Sequence, residues 1–187
     1  MAIRTRTESK LLDAAEELFF TRGISATPVD AVLERAGVSA ATLYRGYPSK
    51  EALLAAALDR RHAAWLAAWD DAIARQDTAE GRLLAVFDAL DDFRQQPTGS
   101  RWCAFLGSAA EYADAPPEVA DAVHRDTDSL RARLTGLAAP VVGDERSAAL
   151  AEQLLLVVTG DLAMRLRDPR SGTATARAVA AALLAAR

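Results

Sequence analysis

The chain has 187 residues and a formal net charge of −4, and 51% of its residues are hydrophobic while 26% are charged. This composition is typical of a soluble globular protein and excludes a disordered chain. Apolar runs are shorter than the roughly 20 residues that span a membrane, and the N-terminal residues show no secretory signal pattern, so we expect a cytoplasmic protein without a membrane span. A single cysteine, Cys103, excludes an internal disulfide and a cysteine-rich zinc site.

Charge is unevenly distributed along the chain. Residues 1–50 hold seven Lys or Arg and six Asp or Glu, a net charge of +1, whereas residues 51–187 carry −5. An acidic protein does not coat nucleic acid indiscriminately. A near-neutral N-terminal part can nevertheless hold phosphates through a few placed cations, hydroxyl groups and helix N-termini. The acidic remainder is expected to face away from DNA.

The first helix is predicted from Thr5, which forms a capping-box pattern with Glu8, to the neighbourhood of Gly23. Glycine favours helix ends because it adopts a positive φ without a side-chain clash. The apolar residues of this helix recur every three or four positions and therefore share one face: Leu11, Leu12, Ala15, Leu18 and Phe19.

Two short helices follow. The segment Thr27–Asp30 places threonine at an N-cap, proline at the first helical position and an acid at the third, all of which favour a helix start. Gly37 ends this second helix. Ser39 then caps a third helix, which must end before Pro48 because the residue preceding proline avoids helical geometry. Two short helices joined by a tight glycine-containing turn are the unit that places its second helix in the major groove of DNA.

Helical patterns continue to the end of the chain. Ser49 caps a long helix that runs towards Ile73, and no strand, hairpin or fixed-period repeat is found. The predicted fold is all-α, with about nine helices, in an N-terminal three-helix helix-turn-helix DNA-binding domain at residues 1–48 and a C-terminal helical bundle domain at residues 49–187. Proline or glycine separates the remaining predicted helices: 78–95, 101–112, 117–137, 145–167 and 173–187.

The sequence Leu11–Leu54 resembles the DNA-binding domain of tetracycline-repressor-like (TetR) transcriptional regulators. The turn Ala36–Ser39, the core Thr42–Tyr44 and the exit Tyr47–Lys50 occur in the order of that family. The resemblance implies a three-helix head followed by a helical domain that dimerises and usually binds a small ligand. Two-fold symmetry then implies a palindromic operator in double-stranded DNA, with half-sites about one helical turn apart or a multiple of it.

The resemblance also implies which side chains meet DNA. Residues Ala40–Thr42 match positions that face base edges, where methyl groups can contact thymine methyls and one hydroxyl can hydrogen-bond. Tyr44, Lys50 and Thr27 match positions that tend to hold phosphates, and such contacts set register without specifying sequence. The predicted DNA-binding residues are Thr27, Ser39, Ala40, Ala41, Thr42, Tyr44, Arg45, Tyr47 and Lys50.

Gly46 departs from the family pattern, which commonly has histidine at this position. A histidine ring can donate to phosphate, so that contact is absent here. Glycine near the end of a short helix also loosens it by roughly 1 kcal/mol relative to alanine. Arg45 and Tyr47 are the residues that can compensate, although Tyr47, like Leu43, is expected mainly in the core.

The segment 148–166 is apolar nearly all round, so both of its sides must be buried. One side can pack on the chain's own core, and the other needs a partner surface. A second copy of the chain can provide it, because the alanine-rich last helix allows close approach, so a homodimer is predicted. The resemblance implies the same, since the last two long helices of the family form its interface. A fully internal helix in a monomer is the alternative. The predicted interface residues are Leu150, Leu154, Val157, Val158, Leu183 and Leu184.

Aromatic residues in the middle helices are candidate walls of the effector pocket that the family usually keeps there, although aromatics at helical spacing also suit a plain core. No metal or cofactor is predicted, because His62 and His124 lie far apart without a second ligand at i+3 or i+4. Cys103 has no flanking catalytic motif, so no enzyme is predicted. The pocket candidates are Trp65, Trp69, Phe87, Trp102, Phe105 and Tyr112.

These observations predict a ligand-responsive, DNA-binding transcriptional regulator, most simply a repressor that binds a palindromic operator as a homodimer and is released by an unknown small-molecule effector. Effector binding would move the helix that follows Ser49, which joins the head to the rest of the chain. A helical scaffold that binds only proteins is the alternative, and it would leave Val38–Lys50 unexplained. Measured affinity for DNA distinguishes the two.

Overall fold

The computed structural model describes residues 5–96, 103–112, 114–168 and 170–186. These residues contain no strand, and the prediction of an all-α fold is confirmed. The helices of the described residues are α1 (Thr5–Arg22), α2 (Val29–Ala36), α3 (Ala40–Gly46), α4 (Lys50–Ala74), α5 (Ala79–Gln95), α6 (Ala104–Glu111), α7 (Pro117–Val142), α8 (Asp144–Arg167) and α9 (Ala174–Ala185).

Glycines end the first two helices, as predicted. Gly23 has a φ of 97°, and its N–H donates to the carbonyl of Phe19 at 3.1 Å. Gly37 has a φ of 66° and donates to the carbonyl of Glu34. Both are left-handed conformations, which a Cβ atom disfavours. The turns on either side of α2 therefore depend on glycine.

Serine side chains cap the two helices that follow. The Ser39 hydroxyl accepts the N–H of Thr42 at 3.3 Å at the start of α3. The Ser49 hydroxyl accepts the N–H of Ala52 at 2.9 Å at the start of α4. Each bond satisfies one of the N–H groups that a helix start leaves without a partner. Both predicted caps are confirmed.

Thr27 does not cap α2, and this prediction was wrong. The helix begins at Val29, with Pro28 in the cap position and no side-chain hydrogen bond there. The Thr27 hydroxyl instead donates to the carbonyl of Gly23 at 2.7 Å and lies 3.3 Å from that of Leu18. Its side chain is buried, so the hydroxyl satisfies carbonyls at the end of α1 rather than N–H groups at the start of α2.

Helix α7 is longer than predicted. The expected end was residue 137, because proline breaks helices, yet the helix runs to Val142 with Pro140 inside it. Pro140 removes the N–H that would bond to Gly136 and crowds that carbonyl. Only the end of the helix is affected, and Gly143, with a φ of 82°, follows its last residue.

Residue contacts divide the chain into two compact units. Unit 1 comprises Met1–His62 and Trp102–His124, and unit 2 comprises Ala63–Arg101 and Arg125–Arg187. Unit 1 therefore joins α1–α3 to the first half of α4, to α6 and to the start of α7. It includes more of the chain than the DNA-binding domain predicted at residues 1–48, and the functional division at residue 48 stays a prediction.

A single hydrophobic cluster holds unit 1 together. Leu11, Leu43 and Leu54 are fully buried in it, and α6 and α7 contribute Phe105 and Val119. Each large apolar side chain that is fully buried stabilises the fold by about 1.5–3 kcal/mol. Helix α6 is thus a structural part of the unit that carries α1–α3.

Unit 2 has a separate cluster built on α4, α5, α7, α8 and α9. Helix α8 is long and apolar enough to cross a membrane by length and composition alone, a test that the core helix of a soluble protein also passes. Near its end, Arg165 pairs with Asp161 at 2.8 Å, and both side chains are buried. Arg165 also lies 3.4 Å from the carboxylate of Asp91 on α5. These contacts fix α8 against α5.

Candidate nucleic-acid interface

Helix α3 presents small and polar side chains to solvent. Ala40, Ala41 and Arg45 are exposed, Tyr44 is 52% exposed and Thr42 is half-buried. This face therefore carries methyl groups, one aliphatic hydroxyl, a phenol and a guanidinium, and α3 contains no acidic residue. Such groups contact base edges and phosphates in a major groove.

Two residues on the other side of α3 attach it to the core of unit 1. Leu43 is fully buried, and Tyr47, just after the helix, is 8% exposed. The Tyr47 hydroxyl donates to Oε1 of Glu8 on α1 at 3.1 Å. Burial, helped by this hydrogen bond, raises the pKa of Tyr47 to about 12. Tyr47 is thus placed as a core residue, and its hydroxyl is used within unit 1.

The cap of α3 also contacts a predicted base-reading side chain. The Ser39 and Thr42 hydroxyl oxygens lie 2.9 Å apart, close enough for a hydrogen bond between them. Ser39 is exposed. Ser39 thus caps α3 and also lies within hydrogen-bond distance of the Thr42 hydroxyl.

Two residues that were predicted to contact phosphates form hydrogen bonds inside unit 1. Thr27 is 1% exposed and its hydroxyl donates to Gly23. The Lys50 amine donates to the carbonyl of Ile24 and lies 5.7 Å from the centre of the Phe19 ring. Both polar groups bond inside unit 1: Thr27 is buried, and Lys50 uses one of its three N–H donors on Ile24, so their phosphate contacts stay predictions.

A further polar residue, Glu111 on α6, contacts the loop between α1 and α2. Its carboxylate accepts the N–H of Ile24 at 3.0 Å and the N–H of Ser25 at 2.8 Å. Burial alone would raise the pKa of Glu111, but these bonds and the charge of Lys50 outweigh it and hold the pKa below its ordinary value. Sequence reasoning missed Glu111, because its partners lie 86 and 87 residues away and no local pattern links them.

Three of the predicted effector residues lie in the cluster of unit 2. Trp65 and Trp69 have ring centroids 5.6 Å apart, and Trp65 meets Phe93 edge-on at 5.8 Å. Trp69 and Phe87 are fully buried. The Trp69 Nε1–H is buried and has no hydrogen-bond partner among the described residues, while the guanidinium of Arg133 lies 4.8 Å over its ring.

The other effector candidates belong elsewhere. Phe105 and Tyr112 pack in the cluster of unit 1, and Trp102 lies outside the described residues. Of the five predicted aromatics that the structure describes, Trp65, Trp69 and Phe87 therefore share one cluster. In the described part of the chain, no three His, Cys, Asp or Glu side chains are grouped so that they could hold a metal ion.

The predicted dimer residues lie mostly on the inner side of α8 and α9. Leu150, Leu154 and Val158 are buried in the core of unit 2, so their surface is not open to a second copy. Val157, Leu183 and Leu184 are partly buried against the same core. The exposed large apolar side chains of α8 and α9 are instead Leu156 (74%), Met164 (49%), Leu166 (49%) and Val179 (45%).

Comparison with known proteins identifies the family. Residues 11–57 match the family model described as bacterial regulatory proteins, tetR family. A TetR-family transcriptional regulator of Streptomyces coelicolor has a solved structure that is 30% identical, with a TM-score of 0.85 over 98% of this chain and 96% of that chain. A TetR transcriptional regulator of Legionella pneumophila, 21% identical, shares the fold with a TM-score of 0.79 over 97% and 98% of the two chains.

A curated relative is the HTH-type transcriptional activator FasR of Mycolicibacterium smegmatis, which is 34% identical over 90 residues. The match covers 48% of this chain and 41% of that protein, so it spans about two fifths of the length of the relative. Regulators of this family bind DNA and are not enzymes. The family model on α1–α4, the full-length structural match and the exposed face of α3 together show that this chain belongs to the TetR family of DNA-binding transcriptional regulators.

Proposed function

We propose that the chain is a cytoplasmic, homodimeric repressor that binds a palindromic operator and is released by a small-molecule effector. The observation that carries the proposal is the exposed face of α3, where Ala40–Thr42 and Arg45 stand outward while Leu43 anchors the helix. In this proposal, Ala40, Ala41 and Thr42 contact base edges, and Tyr44 and Arg45 hold phosphates. Ser39 orients Thr42.

Selection of bound sequences from random duplex DNA tests operator binding. The purified protein should enrich a palindrome whose half-sites are centred about one helical turn apart, or a multiple of it. Enrichment of a single, non-palindromic half-site would refute the dimeric arrangement. If no sequence is enriched at any salt concentration, sequence-specific binding itself is refuted.

The dimer interface is proposed on the exposed apolar side of α8 and α9. Leu156 is 74% exposed and Val179 is 45% exposed. Large apolar side chains left in water at adjacent helices favour association, because burying them is favourable by roughly 25 cal/mol per Å². Exposed small residues near them permit close approach of a second copy: Ala149, Gly160, Ala178 and Ala182.

Leu156→Glu tests this interface. The variant should be monomeric by size-exclusion chromatography with light scattering, since a carboxylate would be buried without a partner. Ala132→Glu is the matched control, because it adds the same charge at an exposed position of α7 in unit 2. The proposed interface is refuted if Leu156→Glu remains dimeric at the concentrations at which the control is dimeric.

The effector site is proposed at Trp69, because its buried Nε1–H lacks a partner among the described residues. An unsatisfied buried donor costs about 1–3 kcal/mol, which a hydrogen-bond acceptor on a ligand would recover. The adjacent rings of Trp65 and Phe93 favour an apolar or aromatic ligand body. The proposed effector is therefore a largely apolar molecule with at least one acceptor atom.

A compound library scored for release of the protein from fluorescent operator DNA tests this site. Compounds that release the wild type should act more weakly on Trp69→Phe, which keeps an aromatic ring and removes the donor, while its operator affinity without compound stays unchanged. If every active compound releases Trp69→Phe at the same concentration as the wild type, the proposed role of Trp69 is refuted.

Activation of transcription is the second candidate function, because the relative that is 34% identical over 90 residues is named an activator. Repression requires only that the bound dimer blocks polymerase, whereas activation requires an additional surface that contacts it. Transcription in vitro from a promoter that overlaps the selected operator distinguishes the two. A fall in transcript on adding the protein supports repression, and a rise would overturn it.

A further inference from the structure

The loop between α1 and α2 is held by a residue from a distant part of the chain. Because α1 ends at Arg22 and α2 begins at Val29, the N–H groups of Ile24 and Ser25 lie outside a continuous helix and need acceptors from elsewhere. Glu111, the last residue of α6, supplies acceptors for two of them, at Ile24 and Ser25. One carboxylate thus satisfies two successive donors.

The same loop is also held by α4. The amine of Lys50, the first residue of α4, donates to the carbonyl of Ile24, which accepts the N–H of Thr27 as well. The Glu111 carboxylate also lies beside Gly23, where a Cβ atom would be in ordinary van der Waals contact with Oε1, at 3.5 Å. Helix α6 and helix α4 therefore contact one short loop, with a carboxylate on its N–H groups and an ammonium on a carbonyl.

The position of Glu111 is electrostatically unfavourable for α6 itself. A carboxylate at the last residue of a helix lies against the negative end of the helix dipole. The two N–H groups and the charge of Lys50 compensate, as the lowered pKa of Glu111 shows. Within unit 1, this side chain therefore stabilises the contact between α6 and the loop rather than α6 alone.

We propose that Glu111 is a positioning residue for operator binding, which holds the α1–α2 loop so that α2, and with it α3, keeps the orientation that fits the major groove. The proposal rests on operator binding through α3, as proposed above. A continuous series of contacts and chain segments connects Glu111 to α3. The Glu111 carboxylate bonds to Ile24 and Ser25, the loop that contains them leads into α2, and the turn at Gly37 joins α2 to α3. Because Phe105 packs α6 into the same core, the Glu111 bonds link the position of α6 to that of the loop.

Two substitutions test the role of Glu111, with a control for charge. Glu111→Ala removes both acceptors, and Glu111→Gln keeps one acceptor oxygen and removes the charge. Loss of a negative charge from a DNA-binding unit by itself strengthens phosphate binding. Glu118→Gln makes the same charge change at an exposed position in the first turn of α7, in unit 1. The charge change alone would therefore strengthen operator binding, so weaker binding by the Glu111 variants cannot be caused by it.

Operator affinity should fall about tenfold for Glu111→Ala and about threefold for Glu111→Gln, because the contact is partly exposed and water competes for it. Glu118→Gln should bind as tightly as the wild type or slightly more tightly. The salt dependence of binding should be unchanged in all three, since no phosphate contact is removed. If both Glu111 variants bind like the control, the positioning role is overturned.

Amide hydrogen exchange of the full chain without DNA tests the contact separately. The amides of Ile24 and Ser25 should exchange faster in both Glu111 variants than in Glu118→Gln, while amides inside α1 and α4 keep their protection. Unchanged exchange at these two amides would overturn the inference. A wild type that selects no operator would instead refute the proposed function, and the exchange measurement would still decide whether Glu111 holds the loop.

Discussion

Two cations in unit 1 should contribute differently to DNA binding. Arg45 is exposed on α3, and its side chain forms no hydrogen bond or ion pair with another described residue. Lys50 is half-buried, and its amine donates to the carbonyl of Ile24. Arg45→Gln and Lys50→Met each remove one positive charge and keep a side chain of similar length, so the two variants form a matched pair.

The magnitude follows from counterion release. The logarithm of the binding constant falls with the logarithm of salt concentration, with a slope of about −0.9 for each phosphate that the protein neutralises. If each Arg45 of a dimer holds one phosphate, Arg45→Gln makes the slope shallower by about 1.8. Doubling the salt would then weaken the variant about 3.5-fold less than the wild type. Lys50→Met should weaken binding through the loop and leave the slope unchanged.

Fluorescence anisotropy titrations of the operator duplex at several salt concentrations measure both quantities. Lys50→Met should lose affinity with the slope of the wild type, whereas Arg45→Gln should lose affinity mainly at low salt. A slope that is also shallower by about 1.8 for Lys50→Met would show that Lys50 leaves Ile24 and holds a phosphate, as the resemblance implies. That result would refute the reasoning from the structure.

Three further predictions concern stability. Leu43→Ala should lower the free energy of unfolding by about 2–5 kcal/mol in urea titrations, because Leu43 is fully buried; a loss below about 1 kcal/mol would show that α3 is not anchored there. The Tyr47 phenol should titrate near 12 when followed by ultraviolet absorbance. Because the pKa of Tyr47 is raised in the folded state, the stability that this group contributes is present below pH 10 and is lost as the pH rises towards 12. A titration near 10 would contradict this prediction. Arg165→Met should lower the free energy of unfolding by about 3–5 kcal/mol, because Asp161 stays buried without its partner. The double variant Arg165→Met with Asp161→Asn should lose less stability. Equal losses would show that the two side chains do not form a stabilising ion pair.

Helix boundaries were predictable wherever a single local contact decides them. Ser39 and Ser49 cap helices through N–H groups three residues ahead, so the sequence pattern and the structural cause span the same few residues. Thr78 likewise accepts the N–H of Gly81 at the start of α5. The helix-turn-helix arrangement follows from these caps and from Gly37, and it needs no contact distant in sequence.

The parts that sequence reasoning missed depend on tertiary contacts. Thr27 has the local pattern of a cap, but its hydroxyl bonds to carbonyls at the end of α1. In the run of apolar residues 154–158, Leu154 is buried and Leu156 is exposed, and only the packing of α8 on its neighbours decides which side faces inward. Glu111 is 86 residues from Ser25. No pattern within a helix predicts such a contact.

If the chain is the dimer proposed above, the exposed face of α3 implies that joining two heads supplies much of the operator affinity. Arg45 is the cation that α3 offers, and the chain as a whole carries −4, so one head should hold a half-site weakly. Joining two heads makes the second contact intramolecular and can raise affinity by 10²–10⁴ when the spacing fits, an order-of-magnitude range for linked binding modules. Leu156→Glu should therefore weaken binding to the full palindrome by roughly these factors while leaving the weak binding to an isolated half-site unchanged. Equal losses on both duplexes would mean that the substitution alters α3 itself, and then affinity would not depend on the α8 and α9 interface.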